Sequence, residues 1–164
     1  MKNLLLLFIL TLAYCPAATS DAGPPVGSDH VLKADAAQEN GREAWIGRWA
    51  GEANAEGGVY RWLLIRESDG TFMLHGRMYE DGVAVYERLE TGEWTVVDGF
   101  YITKTNAEWD GEKFIPVESW RPNFWGIYRV GEVRDDKISY HHDRLNKTYV
   151  NRLVGDEYEL PPKG

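Results

Sequence analysis

A carboxylate and a guanidinium held together away from water can move a proton, because burial and the neighbouring charge both tune the acid. In this sequence the candidate pair is Glu87 with Arg77 or Arg129. The plainer reading of the same residues is an ion pair across neighbouring strands. His141 and His142 stand side by side ahead of Asp143. Consecutive strand residues point to opposite faces, so the two imidazoles cannot easily share one metal ion. A metal site needs three or four convergent ligands. Surface histidines are therefore the preferred reading, and neither a metal nor another cofactor is expected. There is no Gly-x-Ser-x-Gly elbow and no glycine loop of the phosphate-cradling kind. No residue is assigned a catalytic role, and no motif names a reaction.

The richer chemistry is aromatic. The chain holds seven Trp and nine Tyr. Each offers a wide apolar face and a polar tip, which suits amphipathic ligands and sugars. Candidate ligand contacts are Trp62, Tyr79, Tyr86, Tyr128, Tyr140 and Trp120, together with Arg77 and Glu87. The competing reading is that a small domain without disulfides needs these rings for its core. Trp109, Trp120 and Trp125 fall near loops, where a ligand or partner could meet them.

The elements that must position these residues are short strands. Five turn signals divide the chain after Trp45: "ESDGT", "YEDGV", "VVDGF", "EWDGEK" and "VRDDK". Four contain Asp-Gly, a strong short-range hairpin signal. The predicted strands are 48–53, 59–67, 71–80, 83–91, 93–97, 100–106, 113–117, 124–132, 137–143 and 148–154. Pro116 and Pro122 place the stretch around Trp120 at an edge or in a loop, since Pro cannot donate to a ladder. Along 71–80, Phe72, Leu74, Gly76 and Met78 share one face, and Met73, His75, Arg77 and Tyr79 share the other. Along 83–90, Val83, Val85, Glu87 and Leu89 oppose Ala84, Tyr86, Arg88 and Glu90. Which face looks inward stays open. Residues 59–66 are apolar on both faces, which implies an outer cover, either a loop or a partner. Eight to ten meandering strands leave exposed edges unless they close into a barrel.

The first twenty residues read as a signal peptide. Lys2 supplies a positive start, Leu4 to Ala13 form an apolar run too short to span a bilayer, and Ala17 to Ser20 are small. Residues 21–43 read as a flexible tether, too poor in large apolar groups to order themselves. The barrel is predicted over 44–158, with a C-terminal tail at 159–164. Cys15 is the only cysteine. Leu12-Ala13-Tyr14-Cys15 is similar to a lipoprotein acylation motif, but Tyr14 is bulky where that motif takes a small residue. Loss of Cys15 with the signal peptide is the preferred outcome over lipid anchoring. The chain carries −8, and residues 1–20 hold one Lys and no acid, so the remainder is more acidic still. That balance excludes nucleic acid, whose phosphates call for clustered Lys and Arg. No later stretch approaches the length of a transmembrane helix.

Gly47-Arg48-Trp49, at the start of the first strand, resembles the Gly-x-Trp signature of the lipocalin-like (calycin) barrels. The resemblance extends over residues 45–154. It implies that Trp49 closes one end of a small antiparallel up-and-down β-barrel, with Arg152 of "TYVNRLV" lying across its ring. The Thr-Asp-Tyr loop and the disulfides of many secreted lipocalins are missing. The likeness is thus to short, divergent bacterial lipocalin-like domains.

The expected protein is an all-β lipocalin-like barrel, exported to the periplasm or medium, that binds a small apolar or amphipathic molecule without catalysis. Two alternatives stay open. One is a cell-envelope interaction or inhibitor module, suggested by the two-sided apolar strand and by Trp120 and Trp125. The other is a barrel enzyme using lumen Tyr, Arg or Glu. An open lumen with an inward Arg and carboxylate, set against a packed dry one, discriminates among them.

Overall fold

The structure is a computed structural model that describes residues 41–162. The expected signal peptide, Cys15 and the expected tether up to residue 40 lie outside the described residues. Nine strands follow a short 3-10 turn at Arg42–Trp45: β1 (Gly47–Ala55), β2 (Gly58–Arg66), β3 (Thr71–Glu80), β4 (Val83–Val97), β5 (Phe100–Trp109), β6 (Phe114–Pro116), β7 (Trp125–Arg134), β8 (Lys137–His142) and β9 (Lys147–Leu153). All pairings are antiparallel. β1 pairs with both β2 and β9, and β4 pairs with β5, so the sheet closes into an eight-stranded barrel. β6 stands outside the ring as a short third partner on the far end of β5. Closure satisfies the edges that a meander would otherwise expose.

Local chemistry explains the hairpins. Asp81-Gly82 and Asp98-Gly99 both adopt left-handed backbone, at φ 48 and 84 and at φ 49 and 75. These are the angles of two-residue turns whose twist matches the flanking strands. The two strands predicted over 83–91 and 93–97 are one long strand, β4. Gly92 is where it bends: a Cβ there would collide with the Lys104 carbonyl and the Phe72 ring. The β4–β5 register shifts between Thr91 and Gly92, a bulge that lets the strand curve instead of ending.

The core fills one end. Trp45 (0% exposed), Trp49 (1%), Phe72, Trp94, Tyr101 and Ile138 belong to a single buried cluster with Trp62, Leu64 and Tyr140. Trp45 enters from the 3-10 turn and stacks on Tyr101 with ring centroids 5.0 Å apart. Arg66, fully buried at the end of β2, lies over the rings of Tyr101 (4.6 Å), Trp45 (5.2 Å) and Trp94 (6.0 Å). Its Nε donates to the Tyr101 hydroxyl at 3.1 Å. A guanidinium among ring faces is attracted to their negative side, an arrangement worth about 2 kcal/mol or more when desolvated.

The cation expected over Trp49 is placed elsewhere. Arg152 is exposed and sits opposite Ala50 on the neighbouring strand, one residue out of phase with Trp49. Side chains alternate along a strand, so Arg152 points outward and Trp49 inward. Arg66 and Trp45 supply the cation and ring contact at this end instead.

The two-sided apolar strand has its cover within the chain. Residues 155–162 run along the outside of β1, β2 and β3. Arg48 Nη2 donates to the Tyr158 carbonyl (2.9 Å), Arg77 Nη1 to the Pro161 carbonyl (2.8 Å), and the Tyr79 hydroxyl to the same oxygen (2.7 Å). Leu160 is buried, as are Leu63 and Ala50 on the outward side of the sheet.

Candidate functional site

The barrel interior above the tryptophan floor is open. A cavity of about 250 Å³ is lined by residues of β2, β3, β4, β5, β7, β8 and β9. Its walls are Tyr60, Trp62, Leu64, Phe72, Leu74, Tyr101, Thr103, Tyr128, Tyr140 and Tyr149, with Arg88 and Glu90 among them. Glycines make room for the rings. A Cβ at Gly76 would strike the Tyr60 ring, and one at Gly51 would strike Trp62. The rings pack on each other: Tyr140 and Tyr149 stack at 5.8 Å, while Tyr128 meets Tyr140 edge-on at 5.0 Å. Trp62 is fixed from behind, its Nε1 donating to Oδ1 of the fully buried Asn151 at 2.7 Å.

The polar centre is Arg88 with two carboxylates. Its Nη2 is 2.5 Å from Glu90 Oε2 and 2.8 Å from Glu108 Oε1. The Thr105 hydroxyl donates to Glu90 Oε2 at 3.3 Å. Glu90 is only 7% exposed. Burial pushes its carboxyl above the ordinary range, and the nearby Arg88 pulls the other way. Burial also works against the Arg88 charge, but the two carboxylates outweigh it and raise that pKa. Burial pushes the Tyr60 phenol up to about 12 and raises Tyr101, Tyr128 and Tyr140 as well. All four therefore present neutral hydroxyls at ordinary pH.

The cavity leads to the end opposite the floor. A second pocket there, of about 370 Å³, is lined by Ala53, Asn54, Ala55, Met78, Tyr86 and Lys147, and shares Tyr60 and Tyr149 with the first. Those two rings stand between lumen and rim.

The candidate residues read from sequence divide into four places. Trp62, Tyr128 and Tyr140 line the lumen. Tyr86 stands at the rim and is 56% exposed. Tyr79, Arg77 and Glu87 lie on the outer wall: Arg77 Nε donates to Glu87 Oε1 at 2.8 Å, and His75 Nε2 lies 2.8 Å from the same oxygen. The pair proposed for proton chemistry thus forms, but beneath the C-terminal tail. Arg129 pairs with Asp143 at 2.8 Å on the surface. Trp120 sits 74% exposed on a loop, apart from the cavity. His141 and His142 do not converge, and among the described residues no group of three or more His, Cys, Asp or Glu is placed to hold a metal.

Alternation left the inward face of β4 open, and one extra residue sets it so that Arg88 and Glu90 line the lumen. The Asp81-Gly82 turn sets Glu80 opposite Val83 and Tyr79 opposite Ala84. Continued without a break, that register would set Gly76 opposite Glu87 and turn Glu87 inward. A bulge between Met78 and Tyr79 shifts the pairing by one, so Gly76 meets Arg88 and Leu74 meets Glu90. A one-residue slip exchanges the two faces of a strand. Comparison with protein-family models gives no match to the chain, and comparison with curated proteins gives none either.

Proposed function

We propose that this protein is an exported, short calycin-type barrel that binds a small amphipathic molecule in its lumen without transforming it. The observation that carries the reading is the open lumen: about 250 Å³ of space walled by tyrosine and tryptophan rings around a buried Glu90 paired with a half-buried Arg88. A mostly apolar concavity with a few convergent polar groups is the usual form of a small-molecule site. Export rests on the residues of the leader, Leu4 to Ala13 followed by Ala17 to Ser20. The calycin reading rests on Gly47-Arg48-Trp49 opening the first strand of a closed eight-stranded barrel. The test is a thermal-shift screen with lipids, aromatic alcohols, acids and amines. A ligand at about one hundred times its Kd adds about 2.7 kcal/mol of stability, an easily read rise in melting temperature. A panel in which nothing shifts the melt counts against the reading.

A second reading, an enzyme of the same lumen, has one observation in its favour. Glu90 is a desolvated acid beside an Arg, facing a cavity, which is the setting of a general acid or base. Ligands that shift the melt but emerge chemically unchanged after prolonged incubation speak for binding alone. The interaction-module reading keeps only the exposed Trp120 and Trp125 in its support, since residues 155–162 cover the outer side of β2.

A further inference from the structure

The lumen selects by charge as well as by size. Arg88 is engaged by Glu90 and Glu108 together. Two carboxylates against one guanidinium leave negative charge in excess at the polar centre. No second guanidinium or ammonium is among the lining residues. Arg66 is held in the floor against Tyr101 and Trp45. Lys147 belongs to the rim beside Tyr86. An anion entering the cavity therefore meets excess negative charge and no disengaged cation.

A cation meets the reverse. The contacts of Glu90 with Arg88 and Thr105 both use Oε2. Glu90 is part of the cavity wall. Around it stand Tyr60, Trp62, Tyr101, Tyr128, Tyr140 and Tyr149, whose ring faces carry the negative side of the aromatic quadrupole. Size narrows the class. A dry cavity of about 150 Å³ accepts benzene, so about 250 Å³ accepts roughly ten heavy atoms.

Resting on the reading of the lumen as a small-molecule site, we propose that its ligand is an organic cation of arylalkylamine size, its ammonium against the Glu90 carboxylate and its flat body among the tyrosine rings. This choice goes beyond a generic amphipathic ligand and runs against an acid of the same shape.

Three near-isosteric probes test it by titration calorimetry on the mature chain: 2-phenylethylamine, 2-phenylethanol and phenylacetate. The amine is expected to bind about tenfold or more tighter than the alcohol, with the acid weakest. Glu90→Gln is expected to weaken the amine about tenfold and to leave the alcohol within about twofold. Should Glu90→Gln fail to fold, as read by circular dichroism, Glu108→Gln at the more exposed carboxylate gives the same contrast, and the order of the three probes on the unaltered chain needs no variant. Alcohol or acid binding as tightly as the amine overturns the cation assignment while leaving the lumen a binding site. No heat from any probe, together with a flat thermal-shift panel, overturns both.

Discussion

Glu90 is a buried acid whose proton is held more tightly in the folded chain than in the unfolded one. Burial raises its carboxyl above the ordinary 4.5, against the pull of Arg88 and with Glu108 adding to the rise. Between 4.5 and the raised value the folded state therefore binds more protons. In that window stability falls as pH rises, and the gain from protonation is fully present below 4.5. Arg88, Glu108 and Thr105 face this carboxylate, and Glu90→Gln removes its titration from among them. The melting temperature of the native chain minus that of Glu90→Gln is expected to grow as pH is lowered toward 4.5; a flat difference would mean that Glu90 is solvated. Two tryptophans make a second contrast at this scale. Trp45→Ala is expected to cost about 3–5 kcal/mol in a urea melt, because the whole indole is buried. Trp120→Ala is expected to stay within about 0.5 kcal/mol, because its ring is largely in solvent. Similar losses at both positions would contradict the placement of Trp45 in the floor.

The strands show how much the residue pattern can carry. Alternation and the Asp-Gly turns were enough to predict all nine strands, with β4 divided into two, and a closed barrel, because each hairpin is local and its turn residues state the geometry. What alternation could not reveal were the bulges. The extra residue on β4, Val85, left unpaired where Met78 meets Tyr86 and Tyr79 meets Ala84, decides whether Glu87 or Glu90 reaches the lumen, and a bulge leaves no composition signal in Val83–Glu90. Alternation sorted β3 into two faces and left their direction open; the cavity shows that the face with Phe72 and Leu74 looks inward. The outer cover of β2 was legible as a need but not as an occupant. Residues 155–162 lack a strand pattern, and their docking depends on Arg77 and Tyr79 donating to the Pro161 carbonyl. Leu160→Ala is expected to destabilise the fold by about 2–5 kcal/mol, the range for a truncated buried leucine. An unchanged urea midpoint would mean that the tail is undocked in solution.

The described residues form a cup. One end is filled by Trp45, Trp49, Trp94 and Arg66, and the other opens past Tyr60 and Tyr149 to the rim. The Gly-x-Trp likeness led to the closed end, where Trp49 is buried, while Arg152 proved to be an outer-wall residue because its strand position is out of phase. That division places stability in the floor and the proposed binding in the lumen. It implies that filling the lumen should abolish binding while sparing the fold. Leu74 lines the cavity, and Leu74→Trp puts a larger ring into the space a ligand would take. Native mass spectrometry of the protein purified from its own host reads this directly. The native chain is expected to carry a small molecule that is released on denaturation, and Leu74→Trp, melting cooperatively, is expected to show the bare mass. A native chain of bare mass, unchanged by Leu74→Trp and by any added ligand, would contradict a binding lumen.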